Sequence, residues 1–234
     1  MTEPPVDPHA PASLSADDAA AHAAAAISRQ LRGTVLALSS AAQLVRYGAH
    51  DDPVLDRNIG RVLREVERLN TTLAALREYA ELPPPTLANA NPDAAVDEAI
   101  AEGRALLESA ALRVQRRRAS PQAVVRGDLH QLARAFAHLL RAVAEGAPPG
   151  SDIAVTARHD AGGTWSCELH DDGPAIPGDV IPQVFDLFAP ARSEHAGVDL
   201  AIAHRIVRAH HGRIAVRSDA GAGTTFEITL PVAG

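Results

Sequence analysis

The run Glu168-Leu169-His170-Asp171-Asp172-Gly173-Pro174-Ala175-Ile176-Pro177 is where this chain is best equipped for chemistry. An apolar strand that delivers a carboxylate into a glycine-proline turn presents one acceptor to an amino group, and the turn lets a ligand approach the backbone. A second carboxylate, Asp199, falls in the first turn of an expected helix, where it satisfies the positive helix end. An anion arriving from outside would be repelled there. The one cysteine, Cys167, lies in an alternating apolar strand and reads as a core thiol. With no second cysteine, no internal disulfide can form, which fits a reducing compartment.

These groups need a sheet and helices to hold them, and the pattern supplies both. Of 234 residues, 46% are hydrophobic, ample for a core. All 22 basic residues are arginine, a bias that suits a GC-rich genome, and the net charge of -7 argues against nonspecific nucleic-acid binding. Arg116-Arg117-Arg118 reads as a solvated strand end. No apolar run approaches the ~20 residues of a membrane helix, and no basic start leads into a signal-type core, so a cytoplasmic protein without membrane contact is expected.

Residues 1–15 hold four prolines and no periodic apolar face, as in a disordered tail. Ser15 followed by Asp17 and Asp18 caps an alanine-rich helix that stops at Gly48. Leu31, Val35, Leu38, Ala42 and Val45 form a heptad seam, and Leu55, Ile59, Val62, Val66, Leu69, Leu73, Leu76 and Ala80 repeat it in a second helix. Such a hairpin, over 16–82, cannot bury both faces alone, so a homodimeric four-helix bundle is expected. Pro83-Pro84-Pro85 opens a stiff linker over 83–91. From residue 92 to 234 the pattern is mixed α/β. Helices are expected at 92–111, 128–145 and 198–211, and strands at 112–117, 123–126, 153–158, 165–170, 213–217 and 225–230. Alternation in Arg213-Ile214-Ala215-Val216-Arg217 predicts a mixed sheet with one wet face and helices on the other.

The order of these stretches resembles the sensor histidine kinases, a dimerisation hairpin followed by an ATPase domain shared with gyrase and Hsp90. Ser28-Arg29-Gln30-Leu31-Arg32-Gly33-Thr34 is similar to the family's Ser-His-Glu-Leu-Arg-Thr-Pro run, with Arg29 at the phosphoacceptor position. Arg29 lies about 200° round the helix from Leu31 and points to solvent. A guanidinium has no free lone pair and stays protonated, so it cannot accept phosphate in that way. In the segment 132–145 the family's two asparagines, one of them the magnesium ligand, fall on His138 and Ala142, and its lysine on Glu145. Magnesium wants hard oxygen ligands, so the resemblance implies no metal site, with His138 a core or surface histidine.

Asp171, Gly173 and Pro174 match the family's Asp-x-Gly box, which implies that Asp171 receives an adenine amino group, with Ala175 at the second glycine. In Glu194-His195-Ala196-Gly197-Val198-Asp199-Leu200, only Gly197 survives of three phosphate-loop glycines; His195 and Asp199 replace the others. The segments 184–188 and 221–226 match the remaining boxes, with Thr224 supporting the adenine site. The resemblance therefore implies a vestigial nucleotide site (Asp171, Gly173, Gly197, Thr224) that binds ATP and magnesium weakly at most. The expected function is two-component signalling without autokinase activity, through docking at Arg29 and Arg32 of a response-regulator receiver domain or a partner kinase. Two alternatives are an ATP-binding kinase with atypical motifs and a phosphotransfer protein using His22, one heptad before Arg29 and ~10 Å along the same face.

Overall fold

The computed structural model describes residues 16–48, 53–119, 121–160, 162–189 and 196–233. The tail over 1–15, the turn over 49–52 and the positions of Glu194 and His195 lie outside the described residues. Helices α1 (Ala16–Gly48) and α2 (Pro53–Ala80) pack side by side as a hairpin. The heptad seam divides in two. Val35, Ala42, Ile59, Val66, Leu73 and Leu76 are buried between the helices, whereas Leu31, Leu38, Val45, Leu55, Val62 and Leu69 remain 39–50% exposed. The heptad positions thus form two stripes, one buried in the hairpin and one partly exposed.

Beyond α2 come β1 (Ala88–Ala90), α3 (Pro92–Glu102), α4 (Arg104–Ser109), β2 (Arg113–Arg117), β3 (Val125–Gly127), α5 (Leu129–Gly146), β4 (Asp152–His159), β5 (Thr164–Asp171), α6 (Ala196–Ala209), β6 (Arg213–Asp219) and β7 (Gly223–Pro231). Five strands form one mixed sheet in the order β2-β4-β5-β7-β6, with β2 parallel to β4 and the other pairs antiparallel. The fold is the expected mixed α/β arrangement. The expected helix over 92–111 is two helices that break at Gly103, where a side-chain carbon would meet Leu140 Cδ2 at 3.0 Å. Strand β1 was not expected; it pairs antiparallel with β3.

Capping fixes where the helices start. Asn91 accepts from the Asp93 N–H (3.0 Å) ahead of α3, and Asp128 accepts from the Gln131 N–H (3.1 Å) ahead of α5. The sheet buries alternate residues against α5 and α6. Phe136 meets Trp165 edge-to-face at 5.9 Å, and Cys167 lies mid-strand with no exposure, its thiol pushed up by burial to about 12.

The arginine run at the end of β2 is not simply solvated. The Arg116 side chain is 12% exposed and bonds both Asp93 and Asp97, while Arg118 reaches Asp97 at 2.9 Å. Asp93 is buried and also accepts from Trp165 Nε1 at 3.2 Å. Sheet and α3 are therefore joined by a buried, hydrogen-bonded charge, which costs little only because its partners are in place.

Candidate functional site

Asp171 ends β5 with no exposure, and its Oδ1 accepts from the Gly173 N–H at 2.8 Å. It stands opposite Thr224 in the β5–β7 register, and Thr224 is also fully buried. The Thr224 hydroxyl lies 2.7 Å from Ser218 Oγ, which in turn accepts from the Ile176 N–H at 2.8 Å. Gly223 makes this possible. Its φ is +73°, and a Cβ there would sit 1.9 Å from the Asp171 carbonyl oxygen. The structure therefore brings Asp171, Gly173 and Thr224 together at one end of the sheet. A buried carboxylate braced in this way suits a neutral N–H donor such as a ring amino group.

A second group is built from charges on three helices. Arg134 of α5 bonds Glu78 of α2 at 2.6 Å, and Glu78 Oε1 meets His138 Nε2 at 2.7 Å. His138 Nδ1 meets Asp199 Oδ1 of α6 at 2.5 Å, and Arg141 reaches the same oxygen at 3.0 Å. His138 and Asp199 are buried, and Asp199 Oδ2 is buried with no hydrogen-bond partner among the described residues. His138 is thus neither a plain core histidine nor a surface one; it sits in an ionic cluster. Burial opposes its charge, but hydrogen bonds to the Asp199 and Glu78 carboxylates prevail and raise its pKa above the usual value, and between two such acceptors both ring nitrogens donate. Burial likewise opposes the charge on Glu78, and His138 and Arg134 overcome it, lowering the carboxyl to about 2.

Around this cluster the other family positions are accounted for by packing. Ala142 presents a buried methyl group. Gly197 has Ala189 O so close that a Cβ would lie 2.7 Å from it, so this glycine is required by the backbone without any ligand. A cavity of about 340 Å³ between α2, the end of α5 and the start of α6 is lined by Arg64, Arg68, Arg141, Glu145 and Asp199 among others. Among the described residues no group of three or more His, Cys, Asp or Glu is placed to hold a metal ion. The Asp171 group suits a ring amino group of the kind the resemblance implies, whereas Asp199, buried and already paired with His138 and Arg141, meets a triphosphate with like charge.

On the hairpin, Ser28 is buried, while His22, Arg29 and Arg32 are exposed on α1. Arg32 lines a second cavity together with Glu78 and Arg134, so the face read as a docking surface adjoins the ionic cluster. Glu78 was not singled out in the sequence. Its only local signal is a carboxylate two residues after Leu76, and its partners lie about 60 residues away.

Residues 127–234 match the family described as histidine kinase-, DNA gyrase B- and HSP90-like ATPase. The chain is 27% identical over 219 residues to the sensory histidine kinase/phosphatase NtrB of Rhodobacter capsulatus, covering 88% of this chain and 61% of that protein. The sensor-like histidine kinase SenX3 of Mycobacterium tuberculosis is 30% identical over 215 residues, 88% of this chain and 52% of its own. The chain carries the ATPase domain of that family and is similar to sensor histidine kinases over most of its length. Among solved histidine kinases, full-length ShkA in complex with AMPPNP superposes with a TM-score of 0.68 at 18% identity, over 91% of this chain and 46% of that one. Acinetobacter baumannii AdeS gives 0.62 at 17% identity, over 88% and 98%. These two likenesses carry the histidine-kinase fold. The chain spans about half to three fifths of the length of NtrB and SenX3. No helix among its described residues is long and apolar enough to cross a membrane.

Proposed function

We propose that this histidine-kinase-like chain does not phosphorylate itself and instead acts in two-component signalling by holding a partner. In this reading it is a homodimer whose face around Arg29 and Arg32 takes the receiver domain of a response regulator or a partner kinase. The observation that carries the reading is the His138–Asp199 pair at 2.5 Å, which joins two side chains of the protein itself at positions where the resemblance implies an asparagine and a phosphate-loop glycine. Arg29 agrees with it: an exposed guanidinium at the acceptor position offers charge-assisted hydrogen bonds to a receiver's aspartates but no nucleophile. A second reading, an ATP-binding kinase with atypical motifs, draws on the intact Asp171–Thr224 group.

Calorimetric titration with ATP and magnesium, alongside an autophosphorylation assay, separates the two. Weak or absent binding to which magnesium adds little is expected, with no acid-labile phosphohistidine at His22 or elsewhere. Tight magnesium-dependent binding followed by labelling would establish the kinase reading instead. For the docking face, Arg29→Glu should abolish capture of a purified receiver domain, while Arg29→His should weaken it without creating phosphorylation. Unchanged capture by the Glu variant would remove this face from the mechanism.

A further inference from the structure

We propose that Asp199 is a built-in anion that, through His138, keeps helix α2 clamped to α5 and α6 in the absence of any ligand. The proposal deepens the reading above and rests on it in one respect, that no external phosphate is held at this helix start. A helix N-terminus attracts an anion, and α6 supplies its own: Asp199 lies in the first turn, 2% exposed, with its charge directed at the next helix. From it runs an alternating chain, Arg141, Asp199, His138, Glu78, Arg134, in which every neighbouring pair has opposite sign and lies within 3.0 Å.

The chain crosses from α6 through α5 to α2. Its inner members are the most buried, with side-chain exposures of 2% for Asp199, 6% for His138 and 25% for Glu78, while the arginines at its ends are 30% and 40% exposed. Charges arranged in this order are screened least where the helices meet. A second clasp sits one residue on: Arg205 of α6 donates to the Tyr79 carbonyl at 2.7 Å and lies 5.0 Å over the Tyr79 ring. The end of α2 is therefore gripped by two adjacent residues, and the first grip depends on a carboxylate at a position where the family resemblance implies glycine. The clamp is closed by the sequence itself, without a ligand to switch it.

The test is hydrogen exchange across residues 73–80 of the full chain, without nucleotide. Asp199→Asn removes the charge at nearly constant shape and should speed exchange there about tenfold or more. Should that variant fail to fold, Glu78→Gln, which alters only the α2 end of the chain of charges, should produce the same loosening. Asp199→Gly should be equally loose and should regain protection when inorganic pyrophosphate is added, because the helix start, His138 and Arg141 then accept an external anion. Native-rate exchange in the Asn and Gln variants, or a Gly variant indifferent to pyrophosphate, overturns the proposal. An autokinase activity in the native chain would instead sink the docking reading, so the two failures are told apart.

Discussion

Glu78 and His138 set opposite pH limits on one contact. The Glu78 carboxyl is lowered from 4.5 to about 2, so its contribution is present above pH 4.5 and is lost as pH falls toward 2. The His138 imidazole is raised above 6.5, so its contribution is complete below pH 6.5 and is lost as pH rises through the raised value. The clamp is then strongest between about pH 4.5 and 6.5. Glu78 is a quarter exposed, and a shift of this size at about 1.4 kcal/mol per unit, discounted for water, is roughly 2 kcal/mol. Thermal melts across this range should show a stability plateau that falls on both sides, and Glu78→Gln should lower the plateau by about 5 °C and flatten both edges. A variant with the native pH profile would mean that the contact contributes nothing in solution.

At the scale of elements, the sheet was legible and its joints were not. Alternation located β4, β5, β6 and β7 to within two residues, because a strand half-buried on one face must alternate. Gly103 gave no local warning that it divides a helix, since the cause is Leu140 packing from α5. Ala88-Asn89-Ala90 has no strand signature and pairs only because β3 lies beside it. Arg116 finds Asp93 and Asp97 some 20 residues back, and Asp199 finds Glu78 through a histidine on a third element. The role of Asp199 at a helix start was readable from its position; its partners were set by tertiary structure.

The β6–β7 turn offers a test of this joinery. Gly221 and Gly223 both have positive φ, +81° and +73°, but a Cβ at Gly221 meets nothing within 4 Å, whereas one at Gly223 meets the Asp171 carbonyl at 1.9 Å. Gly221→Ala should cost only the backbone strain, about 1 kcal/mol, and Gly223→Ala about 3 kcal/mol or more by urea denaturation. Equal costs would show that strand β5 does not approach β7 as described.

At the scale of the molecule, the partly exposed hairpin stripe bears on assembly. Leu31, Leu38 and Val45 recur every seven residues on α1, as do Leu55, Val62 and Leu69 on α2, and all six remain partly exposed. A second copy would cover both rows as a four-helix bundle. Leu69→Asp, placed at the last position of the exposed α2 row, should give monomers or aggregates by light scattering. A dimer that survives the change would place the interface elsewhere, whereas the same charge at Leu73, 6% exposed inside the hairpin, should unfold the hairpin itself. One feature of the sheet bears on how such changes are followed. Cys167 is the chain's only cysteine, buried at the middle of β5 with its thiol held protonated. The thiolate is the reactive form, so a thiol-directed dye meets its target only when β5 leaves its neighbours. The protein carries a single-site chronometer of its own opening, silent while the sheet is closed and read without engineering a new site into the chain.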